Sequence, residues 1–283
     1  MNMDDVDWVK IDHAYGVKRL YGIGAEKFGE YHGGYLNFGW WEKADTYIEA
    51  AEALVHKMAE ILGLNDQSRL LDVACGMGPQ DVYLHRHFGA EIDAVEILWN
   101  QAQVALARVK QAGMEGKVRI HHGTATRLPF ERNSFTHVLA IEGSQHFNTR
   151  EDFFREAFRV LKPKGVIALA DFTITRPPRS LLEKIVVRAA QHFWACPNAN
   201  VYNAEIFKQK LEKSGFINVS ISEEGKYTIP GYFREQIRKE TIKAGIKIRG
   251  WIPTRAGFFV NYAVFRAFCR GLLEYCIVRA EKP

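Results

Sequence analysis

The chain has 283 residues, 47% hydrophobic and 25% charged, which is the make-up of an ordinary globular protein and excludes a disordered one. Its opening residues, MNMDDVDWVK, are acidic and lack the basic and apolar parts of a secretion signal, and no stretch approaches the roughly 20 apolar residues that span a bilayer. The net charge of +5 is uneven: Lys226 to Pro283 carries 12 Lys or Arg against 4 Glu, so the remainder is slightly acidic. Such a segment can attract anionic substrates, acidic partners or a membrane surface by peripheral contact, and a solvated basic face is the plainer reading.

In chain order, short β-branched or apolar runs alternate with helical periodicity from Arg69 to Asp171, the pattern of βαβ units on a parallel sheet. Strands are expected at Arg69–Val73, Ile92–Val95, Val118–His121, Phe135–Ile141 and Val166–Ala170. Helices are expected near Pro79, over Asn100–Ala112 with Ala102, Leu106 and Val109 on one face, and over Glu151–Leu161 ahead of a Lys162–Gly165 turn. The amphipathic Ser180–Trp194 follows, within a segment at about 175–201. Strands at Ile217–Ile221 and Tyr275–Arg279 enclose an aromatic-rich insertion at about 225–273, read as a mainly helical cover over the active edge of the sheet.

Leu70 to Gly78 reads Leu-Leu-Asp-Val-Ala-Cys-Gly-Met-Gly, a glycine turn between a strand and a helix whose first turn suits Pro79. Glycines there let a ligand approach the backbone and reach the N–H groups of the helix start. Glu96 ends the next strand 20 residues after Gly76, where a carboxylate can accept both hydroxyls of a ribose. A nicotinamide-dependent oxidoreductase shares this arrangement, but its third glycine would fall on Asp81, and no Lys or Arg occurs from Asp72 to His85. A cofactor without phosphates fits better.

The Leu70–Gly78 turn resembles the first motif of class I S-adenosylmethionine-dependent methyltransferases. The likeness continues through Gly123–Phe135, with Leu128-Pro129-Phe130, and through Arg159–Gly165. Tyr31–Trp41 and Glu142–Arg150 are similar to segments of the small-molecule enzymes of the ubiquinone/menaquinone, tocopherol and macrolide-sugar kind. The resemblance implies a Rossmann-like α/β sheet, mostly parallel with an antiparallel last strand and a helical cover over the active site. Residues 1–68 would form N-terminal helices and an aromatic lid, and 69–283 the methyltransferase domain. It implies S-adenosyl-L-methionine as cofactor and a small, partly apolar acceptor, methylated at oxygen or carbon. Asp72 and Ile97 would bind the cofactor, the backbone at Ala74, Cys75 and Gly76 would face its methionyl part, Glu96 with Gln101 its ribose, Thr124 and Ala125 its adenine, and Glu142 would mark the strand end nearest the transferred methyl group. Tyr31, His32, Tyr35 and Trp40 would belong to the lid or the acceptor site. Ala74 stands where a glycine is common, which is tolerable if its φ is negative, and Thr124 stands where Asp is common.

Removal of a proton from a hydroxyl acceptor calls for a base, and histidine is the usual one near neutral pH. His146, four residues past Glu142, is the candidate, and the resemblance to sugar methyltransferases, which carry a histidine in this loop and an acidic residue after the fifth strand, implies Asp171 to orient it or bind the acceptor. Capping or packing roles are the alternatives for both. His121 and His122 read as packing or surface residues, and His85 and His87, at i and i+2, do not share a helix face. Cys75, Cys196, Cys269 and Cys276 lack paired spacing, so neither a metal site nor a disulfide scaffold is expected, and the location is expected to be cytoplasmic. The basic C-terminus leaves an RNA-directed methyltransferase as a further alternative, although no RNA-binding module stands out and no nucleic-acid partner is expected.

Overall fold

The computed structural model describes residues 31–283, so any helix before Tyr31 lies outside the described residues. Seven strands form one sheet in the order β3-β2-β1-β4-β5-β7-β6: β1 (Arg69–Val73), β2 (Glu91–Glu96), β3 (Val118–His122), β4 (Phe135–Ile141), β5 (Leu161–Ile174), β6 (Ile217–Glu223) and β7 (Leu273–Glu281). The first five run parallel, and β7 pairs antiparallel with both β5 and β6. The order reverses between β1 and β4, and in such sheets ligands bind beyond the carboxyl ends of the strands at that crevice.

Strand alternation divides the core. Leu70 packs on one face of the sheet against Leu54, Val55 and Met58, while Leu71 and Val73 pack on the other against Phe153, Phe154 and Ala157. The helices behind these contacts are α1 (Tyr47–Leu62) and α4 (Arg150–Val160). Each starts at a reciprocal cap, Thr46 with Glu49 and Thr149 with Asp152, which satisfies two orphan N–H donors. Between the strands run α2 (Pro79–Phe88) and α3 (Trp99–Gln111), and α6 (Ala204–Lys213) precedes β6.

Pro79 does open α2, after Gly78 at φ 73°. On α3 the buried face is Gln101, Ala102, Ala105 and Val109, while Leu106 is exposed, one position away from the expected face. The reason is a close approach: a Cβ on Gly78 would stand 2.9 Å from that of Ala105, so a small side chain must face the turn. The fifth strand begins earlier than expected, at Leu161, which pairs with Phe135 before the register moves to His137 with Val166. The expected turn at Lys162–Gly165 is this irregularity, with Lys164 at φ 63°.

Over the carboxyl edge lie α5 (Leu181–Phe193), α7 (Gly225–Gln236), α8 (Lys239–Arg249) and α9 (Trp251–Cys269). These are the helices of the expected cover segments. Among the described residues, no helix is long and apolar enough to cross a membrane.

Candidate active site

A cleft of about 980 Å³, counting space shared with solvent, opens where β1, β2 and β4 end. Its floor is the turn after β1. Val95 O receives the N–H groups of Ala74 (2.8 Å) and Cys75 (3.2 Å), which folds the turn back over β2. Gly76 stands at φ 58°, and a Cβ there would meet Leu36 at 3.5 Å and Gln101 at 3.6 Å, ordinary contact, so it is the left-handed backbone that favours glycine here. Ala74 has φ 67°, contrary to the negative value its substitution for glycine asks for. A left-handed L-residue costs roughly 1–2 kcal/mol, and the surroundings here hold it. Room for its methyl comes from the next strand end, since a Cβ on Gly143 would fall 2.6 Å from the Ala74 Cβ.

Glu96 is buried beside this turn. Its carboxylate accepts from Gly76 N (3.0 Å) and Leu98 N (2.8 Å), but burial outweighs these bonds and pushes its pKa up to about 7. Ile97, Thr124 and Ala125 also line the cleft, as does Gln101, whose buried Nε2 has no hydrogen-bond partner. Asp72 does not line it. This carboxylate is fully buried beneath the turn, accepts from Gln80 Nε2 (2.8 Å) and lies beside Asp81. Burial raises both carboxyls, Asp72 to about 6 and Asp81 well above its usual range. Gln80, the second residue of α2, lines the cleft instead.

At the end of β4, Glu142 adopts φ 54° and lines the cleft. One carboxylate oxygen accepts from Phe38 N (2.7 Å) and from Tyr275 Oη (2.8 Å). Burial pushes its pKa up to about 8. Through Phe38 this side chain pins the aromatic N-terminal segment across the cleft, where Gly34, Leu36 and Asn37 form the opposite wall. The aromatic rings of that segment do not line it. Tyr31 Oη shares a hydrogen bond with Thr241 Oγ1 (3.0 Å), His32 is buried between Tyr31 and Tyr47, Tyr35 donates to Glu52 (3.4 Å), and Trp40 stacks on Tyr227. Burial lowers the His32 pKa to about 4. These rings fasten the segment to α1, α7 and α8, while its backbone and small side chains meet the cleft.

His146 lines the cleft from a short 3₁₀ turn, Ser144–His146. Its Nε2 lies 3.3 Å from Gln145 Nε2, and Gln145 lines a second cavity of about 690 Å³. That cavity is apolar, walled by Phe172, Val186, Val187, Trp194, Val264 and Leu272 among others. Asp171 lines neither cavity. It is fully buried, receives the Ser144 hydroxyl and Phe172 N (2.7 Å), and pairs with Arg150 at 3.0 Å. Burial raises its carboxyl, opposed by the guanidinium.

Arg150, also fully buried, donates to Ser144 Oγ (3.2 Å), Asn200 O (2.7 Å) and Phe172 O (3.1 Å). Asn200 Nδ2 donates in turn to the carbonyls of Gln145 (3.0 Å) and Phe147 (2.6 Å). Asp171, Arg150 and Asn200 therefore fasten the turn that carries His146. Neither Arg150 nor Asn200 stood out in the sequence, and their only local signal is an Arg at the first position of a capped helix.

The other histidines bond to structure. His121 Nε2 lies 2.7 Å from Asp93 Oδ1, whose carboxyl its neighbours Arg119 and His121 hold well below the usual range. His122, His85 and His87 bond backbone carbonyls at Ile97, Ala90 and Tyr83. Cys75 is buried against three carboxyl groups, and burial raises its thiol well above the usual value, which makes a poor nucleophile.

Residues 71–169 match the family model described as Methyltransferase domain. The chain is 30% identical over 195 residues to erythromycin 3''-O-methyltransferase of Saccharopolyspora erythraea, covering 67% of this chain and 64% of that relative. It is 28% identical over 253 residues to 27-O-demethylrifamycin SV methyltransferase of Amycolatopsis mediterranei, covering 88% and 90%. The fold superimposes on geranyl diphosphate C-methyltransferase from Streptomyces coelicolor with a TM-score of 0.76 at 17% identity, over 97% of this chain and 99% of that one. These matches set aside the nicotinamide alternative. The glycine turn, the sheet order and the run of similarity through both make the chain a class I S-adenosylmethionine-dependent methyltransferase.

Proposed function

We propose that the chain methylates a hydroxyl group on a small, partly apolar organic acceptor. The observation that carries this reading is the adjacency of His146 and Gln145, side chains 3.3 Å apart that line two different cavities, one at the strand ends and one apolar and walled by the cover helices. The names of the erythromycin and rifamycin relatives, both O-methyltransferases of bulky natural products by their printed substrates, agree with it.

The cleft suits S-adenosylmethionine: a left-handed Gly76 lining it, a buried carboxylate at Glu96 and the unpartnered amide of Gln101 offer what a nucleoside with free hydroxyls needs. When bound, the cofactor supplies an electrophilic methyl group on a sulfonium sulfur. Glu96 then accepts from ribose hydroxyls as a carboxylate, and a free-protein pKa of about 7 makes that acceptance pH-dependent. Affinity for S-adenosylhomocysteine should fall as pH drops below about 7, because the carboxyl must give up its proton before it can accept twice. Glu96→Gln should bind it roughly 10- to 100-fold more weakly at pH 8, the value of charge-assisted hydrogen bonds, and lose the pH dependence. Calorimetry of both proteins from pH 6 to 8, two bounds chosen on about one unit either side of that pKa, checks this. Equal affinity would remove Glu96 from the ribose site.

His146 takes the acceptor proton, and Gln145 offers its amide to an acceptor lying in the apolar cavity. Incubating the protein with methyl-labelled cofactor and a set of hydroxylated polyketides, quinols and terpenoid alcohols should transfer label to a solvent-extractable methyl ether. Gln145→Leu should raise KM for that acceptor more than it changes kcat, since the amide binds and does not react. Label found only on carbon would replace oxygen as the acceptor atom.

A further inference from the structure

The cover helices bury less than their composition asks for. None of the 13 residues of α5 is buried, and among the 19 of α9 only Val264 is. Their inner sides wall the second cavity together, through Val186, Val187 and Ala190 on α5 and Ala263, Val264 and Ala267 on α9. Their outer sides are also apolar. On α5, Leu181 is 74%, Leu182 60% and Ile185 55% exposed, and on α9, Trp251 is 59%, Ile252 73% and Phe259 60%. Trp251, Arg255, Phe259 and Tyr262 recur at i, i+4, i+8 and i+11, so they form one stripe, turned away from the cavity.

Charge gives this surface its sign. From Thr241 to Leu273 there is no acidic residue and there are six bases, Lys243, Lys247, Arg249, Arg255, Arg266 and Arg270. On α5, Lys184 and Arg188 flank the exposed stripe, and its one acid, Glu183, is paired with Arg176 at 2.9 Å. Exposed aromatic and aliphatic side chains set among Lys and Arg are the composition of a helix that lies in a bilayer interface. A second copy fits poorly, because a twofold contact would lay this positive face against itself.

We propose that the outer face of α5 and α9 docks on an anionic lipid bilayer, placing the apolar cavity behind it within reach of lipid-dissolved acceptors. The delivery role rests on the reading of that cavity as the acceptor site, whereas the docking itself does not.

The test is co-sedimentation of the full chain with vesicles of phosphatidylcholine alone and of an equal mixture of phosphatidylcholine and phosphatidylglycerol. Binding is expected to the mixed vesicles only, weakening as salt is raised. Lys184→Gln with Arg255→Gln should lower the partition coefficient about fivefold for each charge removed. Leu181→Ser with Ile252→Ser should lower it at least about tenfold at fixed salt, as buried apolar area is lost. S-adenosylhomocysteine affinity should stay unchanged in all variants, which shows that they fold. Absence of binding to the mixed vesicles at low salt would overturn the proposal. So would unchanged binding in the Ser variant, or a concentration-dependent dimer that the same variant abolishes. Failure of the wild-type chain to bind S-adenosylhomocysteine would instead overturn the cofactor reading and leave the vesicle result to be judged separately.

Discussion

Asp171→Ala is expected to destabilise the protein by about 3–5 kcal/mol, the cost of leaving a buried guanidinium without its counter-charge. Arg150 is fully buried, with the rings of Tyr202 and Phe207 beside it at 5.1 and 4.9 Å, and it lines the apolar second cavity, so removing the carboxylate leaves its charge in apolar surroundings. The Ser144 hydroxyl and Phe172 N lose their acceptor at the same time. For a chain of this size the shift corresponds to a fall in Tm of roughly 10 °C, read by calorimetry or by chemical denaturation. The carboxylate acts on the reaction by position alone, and a second variant separates the two effects. Arg150→Met with Asp171→Leu removes both charges and should recover most of the stability, because a well-packed apolar pair avoids the desolvation that an ion pair must offset. It also removes the bonds to Ser144 and Asn200, so the His146 turn should loosen and kcat should fall in a protein that is folded. Stability within about 1 kcal/mol of wild type for Asp171→Ala, in the range of an ordinary surface substitution, would show that Arg150 finds another partner or water.

Much of this fold was legible because local pattern and tertiary demand agree. The run Leu70, Leu71, Val73 is apolar on both faces, as a central parallel strand must be, and β1 begins and ends where that run does. The spacing to Gly76 and a place at a strand end put Glu96 beside the turn, where the structure bonds it to Gly76 N. The errors arose where a distant residue decides. Leu106 has the better hydrophobic credentials, yet Ala105 is buried because Gly78 lies against it. Ala74 could be judged only with Gly143 in view, 69 positions later, whose missing side chain leaves room for the Ala74 methyl. Asp171 appeared as a partner for His146 because both belong to adjacent strand ends. The structure puts Arg150 beside that carboxylate, so it steadies the turn from below. Tyr31, Tyr35 and Trp40 sit on the right segment for a lid but turn their rings into the packing, which periodicity cannot show in an irregular stretch. Asn200, 50 residues from Arg150, carries no local mark of its three bonds to the loop of His146.

The largest kinetic effect is expected at His146. A hydroxyl is a weak nucleophile, and as its oxygen forms a bond to the incoming methyl carbon its proton must leave, here to the imidazole, while the carbon–sulfur bond breaks and the electron pair stays on sulfur. His146 lines the strand-end cleft, and its neighbour Gln145, 3.3 Å away, lines the apolar cavity, while its turn is held by Asn200, Arg150 and Ser144. His146→Ala should therefore lower kcat by about 10²- to 10⁴-fold, the range for loss of a positioned general base, with cofactor affinity nearly unchanged. The pH dependence of cofactor affinity that Glu96 confers should survive in His146→Ala. A merely packing role would give a different pattern: a kcat within about threefold of wild type, well below the general-base range. In that case the acceptor oxygen would be ionised before it arrives, or the methyl group would go to carbon, and the buried turn would serve to shape the cleft.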